Sequence, residues 1–185
     1  KLFKTLLTIL FISLLSSPSW SLTWDDLVER NDLYYEKSTN VPFTGEVTGR
    51  EQGSYKNGQR EGAWVGYHES GQLRYKNNYK NGKKEGAFVS YYENGQLNGK
   101  GNYKNGKKEG ADVQYYQNGQ LKYKQNYKDG KWEGAYVQYH ENGQLLAKGN
   151  YKNAKEEGAW VVHKPDGTVW LKFTGIFKDG VKISD

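Results

Sequence analysis

The sequence predicts an all-β protein: an open, single-layer antiparallel β-meander of repeated hairpins, with a short helix near its N-terminus. Three observations predict it. A 24-residue motif returns in step, as "YHESGQL" at 67–73, "YYENGQL" at 91–97, "YYQNGQL" at 115–121 and "YHENGQL" at 139–145. Within each unit apolar and polar residues alternate between glycine-containing turn signals, the pattern of strands joined as hairpins. Core-forming residues are scarce: no isoleucine lies between Ile12 and Ile176, while the chain holds 16 Tyr and 23 Gly. That composition suits a quasi-one-dimensional stack whose units touch only their neighbours, and not a thick core between layers.

Taken in chain order, residues 1–21 come first. Lys1 and Lys4 precede the apolar run Leu6 to Leu15, and the small residues Ser19 and Ser21 follow. This is the plan of a cleaved secretory signal peptide, and the run is too short for a bilayer, which needs ~20 apolar residues. Its loss removes two lysines and no acid, so the formal charge falls from +6 to +4. Such a mild excess is not the footprint of a nucleic-acid binder. No cysteine is present, so no disulfide is expected, and no second apolar stretch of spanning length follows. A secreted or periplasmic product is therefore expected, with no transmembrane segment in the mature chain. Residues 22–45 form the next unit, a helix and capping segment. In "TWDDLVER", Thr23 is placed to cap a short helix with Asp26 at its third position.

Residues 46–185 are the repeat array. "YKNG" starts at Tyr55, Tyr79 and Tyr103, and becomes "YKDG" at Tyr127 and "YKNA" at Tyr151. "EGA" recurs at Glu61, Glu85, Glu109, Glu133 and Glu157. In each unit a strand such as 87–92 leads through "ENG" into a second strand, 96–104. A two-residue Asn-Gly loop would mix apolar and polar sets on one face. A three-residue loop, Glu93-Asn94-Gly95, is a type I turn closed by a left-handed glycine. It pairs Tyr91 with Leu97 and Val89 with Gly99 and keeps the sets apart. Pro165 in "KPDGT" agrees, because proline pre-sets the second position of a type I turn.

With an unbroken register beyond that loop, one face carries Ala63, Val65, Tyr67, Leu73, Tyr75 and Tyr79. The other carries Trp64, Phe88, Asp112, Tyr136 and Trp160, each directly across from a lysine: Lys76, Lys100, Lys124, Lys148 and Lys172. A column that accepts Trp and Asp alike is expected to be wet, since an unpaired buried Asp is costly. Equivalent lysines would recur every ~10 Å, two strand spacings apart. Apart from Asp112, these aromatic–lysine pairs are the candidate ligand-binding residues, suited to an extended or repeating ligand. The tyrosine face is a rival site unless the sheet curls over it or Leu22 to Tyr35, with Trp24, caps it.

The pattern "YKNGKKEGAFVSYYENGQL" resembles the MORN-repeat variant of bacterial proteins, labelled antitoxin-like proteins of the YwqK family. "LVERNDLYYEKSTNVPFTGEV", from Leu27 to Val47, is similar to the segment that precedes such arrays. The resemblance covers roughly residues 27–180. It implies a curled single-layer sheet used to bind proteins or lipids, and it carries over no catalytic residue and no cofactor.

No enzyme is expected. His68 and His140 share a column with Tyr92 and Tyr116, and His163 shares one with Tyr67 and Tyr91, so each exchanges one aromatic for another. There is no Gly-x-Ser-x-Gly elbow and no His-x-x-x-His spacing, so neither catalysis nor a metal is indicated. Asp25, Asp26 and Glu29 fit capping better than acid–base work. "YKNGKKEG" lacks the Gly-Lys-Ser/Thr ending of a phosphate loop. The expected function is an exported interaction scaffold whose partner is another protein, in the manner of an immunity protein. The alternative is an envelope module that holds glycan or anionic lipid on the aromatic–lysine pairs.

Overall fold

The computed structural model describes residues 22–185; the expected signal peptide, 1–21, lies outside them. Sixteen strands form one open sheet in which strands close in sequence lie side by side, and two more form a separate hairpin. The repeats supply its body: Gln59–Tyr67 and Leu73–Lys80, Gly86–Tyr91 and Leu97–Lys104, Gly110–Tyr115 and Leu121–Lys128, then Lys131–Tyr139 and Leu145–Lys152. The fifth unit begins with Lys155–Val162, but its return strand is replaced by the 3-10 turn Leu171–Phe173. All pairings are antiparallel except that of Leu22–Thr23 with Gly45–Thr48.

Two kinds of turn alternate. At one end the three-residue loop forms as the sequence indicates. Tyr92 N–H donates to Gln96 O at 2.8 Å, Gly95 sits at φ 82°, and Tyr91 pairs with Leu97. At the other end Asn81 and Gly82 have φ of 48° and 74° between paired Lys80 and Lys83, a two-residue turn matched to strand twist. The glutamate of "EGA" ties successive turns together. Glu61, Glu85, Glu109 and Glu133 each accept the backbone N–H of the residue 20 positions on, at 2.6–2.9 Å. That bond satisfies an amide left unpaired by the turn, so the same acid recurs in every unit.

One feature of the register departs from the sequence-based expectation. Immediately after the Tyr91–Leu97 pair the ladder shifts, so that Ser90 faces Gly99 and Asn98 is left over as a β-bulge. The same shift follows Tyr67, Tyr115 and Tyr139. A one-residue slip exchanges the faces of everything beyond it. Val65, Val89, Val113 and Val137 therefore stand across from the lysines. Trp64, Phe88, Asp112 and Tyr136 face Asn77, Gly101, Gln125 and Gly149.

The best-buried core lies at the N-terminal end. Leu27, Val47, Tyr55 and Trp64 are buried, with Leu22, Trp24, Tyr34, Phe43 and Tyr79 packed around them. Tyr55 meets Trp64 edge to face, 5.1 Å between ring centroids and 83° between planes. Residues 22–43 thus cap the aromatic face of the first unit. The expected short helix is one 3-10 turn, Trp24–Asp26, with the Asp26 carboxylate accepting from Thr23 N–H and hydroxyl, both at 2.8 Å.

Candidate functional site

The bulge creates two rows of opposite character, one on each face. On the aromatic face Trp64 sits between Gly53 and Asn77, Phe88 between Asn77 and Gly101, and Asp112 between Gly101 and Gln125. Tyr136 then follows between Gln125 and Gly149, and Trp160 between Gly149 and Gly175. Bulk on one strand is matched by its lack on the next; a Cβ at Gly53 or Gly149 would strike the indole beside it.

The expectation that this column is wet is corrected. Trp64 is fully buried and Asp112 is 2% exposed. Asp112 is tolerated because Lys108, four residues earlier, places its ammonium 2.7 Å from Oδ2. Burial disfavours the Lys108 charge, but the Asp112 hydrogen bond and charge, with Tyr127 and Tyr103 nearby, hold its pKa above the ordinary lysine value.

The expected aromatic–lysine pairs are likewise corrected. Lys76, Lys100, Lys124 and Lys148 project from the opposite face to Trp64, Phe88 and Tyr136. Lys172 lies in the 3-10 turn, its ammonium 5.4 Å from the Phe173 ring centroid, while Trp160 faces Gly175. What the structure brings together instead is an alternating row. Val65, Lys76, Val89, Lys100, Val113, Lys124, Val137, Lys148 and Val161 follow one another strand by strand. The four lysines are exposed and the valines half-buried. Beside that row run the Tyr–Leu pairs 67–73, 91–97, 115–121 and 139–145. Toward the C-terminal end Ala135, Val137, Ala159 and Val161 floor a groove of about 470 Å³, with Lys124 and Lys148 at its sides.

Cation–aromatic contacts do occur, at positions that sequence reasoning missed. Arg60, Lys84 and Lys108 lie across from Tyr55, Tyr79 and Tyr103. Arg60 sits 4.4 Å from the Trp64 ring centroid and donates to Tyr79 Oη at 3.0 Å. Lys84 is 5.0 Å from the Tyr103 ring, and Lys108 is 5.0 Å from that of Tyr127. The readable signal was the residue just before each "EG", cationic in three successive units and 24 residues apart. Beneath a tyrosine of the following strand, each such cation gains a ring face.

The matched segments of a family model described as "MORN repeat variant" are 60–81, 84–105, 108–129 and 132–153. The chain carries four tandem MORN repeats. Each begins at the cation or Trp132 of the missed column, runs through one hairpin and ends in the Asn-Gly type of turn. The MORN hairpin is thus the unit that the two rows repeat, and strands outside the matched segments extend the same sheet at both ends. No curated protein matches the chain. Among solved structures, a similar chain comes from "Crystal structure of GtfA/B complex bound to UDP and GlcNAc". It shares 12% identity over 64% of this chain and 22% of that chain, at a TM-score of 0.22. This chain spans about a fifth of that one, and a likeness at this score carries no argument. Among the described residues no helix is long and apolar enough to cross a membrane, and no group of three His, Asp or Glu is placed to hold a metal.

Proposed function

We propose that this MORN-repeat chain is an exported, non-enzymatic scaffold that holds another protein along its Val–Lys face. One observation carries the reading: nine consecutive positions of one row alternate valine and lysine, and among the described residues no other element is laid over them. Half-exposed valines offer apolar contact, and the lysines offer charge every ~10 Å along the row. An extended partner with carboxylates between apolar residues matches both. An immunity-type role is the special case in which that partner is a toxin. The alternative, glycan or anionic lipid stacked on aromatic–lysine pairs, loses its geometric basis because those residues lie on opposite faces.

A photo-reactive residue placed at Val113 tests the reading against one placed at Lys107, beside a hairpin turn. In extract of the source cell envelope, a single protein cross-linked from position 113 and not from 107 supports the scaffold. Raising the salt, or changing Lys100 and Lys124 to Gln, should weaken that product, because exposed charges are screened. Equal labelling from both positions, or none, overturns it.

A further inference from the structure

The aromatic face holds a second feature, unrelated to the periodic row. Beyond the N-terminal cap, a pocket of about 560 Å³ opens over the second unit, within the size range of small-molecule sites. Arg60, Arg74, Lys84 and His68 line it, against a single carboxylate, Glu93. Among the described residues, neither Arg60 nor Lys84 has a carboxylate in ion-pair contact.

The next unit shows what this arrangement lacks. There the equivalent lysine, Lys108, is neutralised by Asp112, and its charge is thereby favoured. In the second unit Phe88 takes the place of Asp112, so Lys84 has no internal anion. Burial, followed by repulsion from Arg60 and Lys108, holds the Lys84 pKa below its ordinary value. Guanidinium and ammonium groups that outnumber the carboxylates lining one pocket are the usual makings of an oxyanion site. The space far exceeds that of a bare ion, and Tyr79, Phe88 and Tyr103 line the remainder with rings.

We propose that this pocket binds an oxyanion, phosphate or carboxylate, carried on a small ring-bearing ligand held between Lys84 and Arg74 and against Phe88. The external anion would do for Lys84 what Asp112 does for Lys108. Calorimetric titration of the protein with glucose 6-phosphate, glucuronate, inorganic phosphate and glucose tests it. Binding of either charged sugar, tighter than inorganic phosphate and with glucose silent, is expected; which charged sugar binds more tightly assigns the oxyanion. Lys84→Met should weaken that binding roughly tenfold, the scale of one lost charge-assisted hydrogen bond. Phe88→Asp, which installs the third unit's internal anion, should abolish it while the circular dichroism spectrum is retained. Lys100→Gln with Lys124→Gln, on the other face, should leave the affinity for the charged sugars as it is. Absence of binding by both charged sugars overturns the proposal, as does equal weakening by the Lys84 and Lys100/Lys124 variants. Failure here would leave the Val–Lys face untouched, since none of these ligands probes it.

Discussion

Adjacent residues Asp112 and Val113 point to opposite faces, and exchanging their characters one at a time tests the bulged register. Asp112→Val removes one partner of an ion pair whose carboxylate is 2% exposed and whose lysine keeps 26% of its side chain exposed. Breaking a fully buried pair costs about 3–5 kcal/mol. Lys108 can turn part of its charge to water, so the expected loss is smaller, about 1–3 kcal/mol. Val113→Asp acts on a half-exposed residue between Lys100 and Lys124. It forfeits β propensity and some apolar contact, about 1 kcal/mol, and gains two cross-strand charge pairs of about 0.2–1 kcal/mol each. The two effects nearly cancel. With a urea slope of about 2 kcal/mol/M, Asp112→Val should lower the unfolding midpoint by roughly 0.5–1.5 M and Val113→Asp by far less. Combining Asp112→Val with Lys108→Met removes both charges and should recover most of the loss. A larger drop for Val113→Asp than for Asp112→Val would refute the register and the face assignment drawn from it.

Glu109→Ala should cost about 1 kcal/mol and speed hydrogen exchange selectively at the Asp129 amide, which Glu109 accepts at 2.9 Å. Glu109→Gln, which keeps an acceptor, should restore most of that protection; unchanged exchange at Asp129 in the Ala variant would remove the turn-linking role. Stability should also fall in alkali. Burial pushes the Tyr55 hydroxyl up to about 12 and, with nearby acidic groups, raises Tyr34, Tyr75, Tyr123 and Tyr151. Unfolded tyrosines ionise near pH ~10, so above that pH the unfolded chain releases protons that the folded one retains. The stabilisation is complete below pH ~10 and is lost as pH rises toward the folded values. The urea midpoint should hold steady between pH 8 and 9.5 and decline beyond; a flat profile to pH 11.5 would contradict it.

The period, the hairpins and the three-residue loop were legible because each rests on local chemistry: a left-handed glycine, a turn proline, a Tyr–Leu pair on one face. The bulge was not. Its extra residue is Arg74, Asn98, Lys122 or Leu146, four side chains with nothing in common, so no residue type announces it. Ignoring it transposed the second strand of every unit and set the lysines against the wrong column. From that error followed the expectation that the column holding Asp112 was wet. One clue was available. Lys108 stands four residues before Asp112, and only that unit has an acid in the column. The expected binding residues drew on both rows, which lie on opposite faces of the sheet.

Buried positions are ordinarily the constrained ones and exposed positions the free ones. Within this chain the order is reversed. The buried row passes through Trp, Phe, Asp, Tyr and Trp, because each unit settles its own volumes with the strands beside it, an indole against glycine or an acid against lysine. The exposed row repeats valine and lysine without change through four units. A cross-strand Val–Lys contact is worth about 0.2–1 kcal/mol, and many other pairs would serve a sheet as well. Packing therefore demands no such uniformity, whereas a partner lying along the sheet reads every unit at the same spacing and does. The same contrast separates the two proposed sites. A periodic row suits an extended partner that touches many units weakly. The charge at the Lys84 pocket is left over because Phe88 stands where the next unit has Asp112, and a site peculiar to one unit suits one compact ligand.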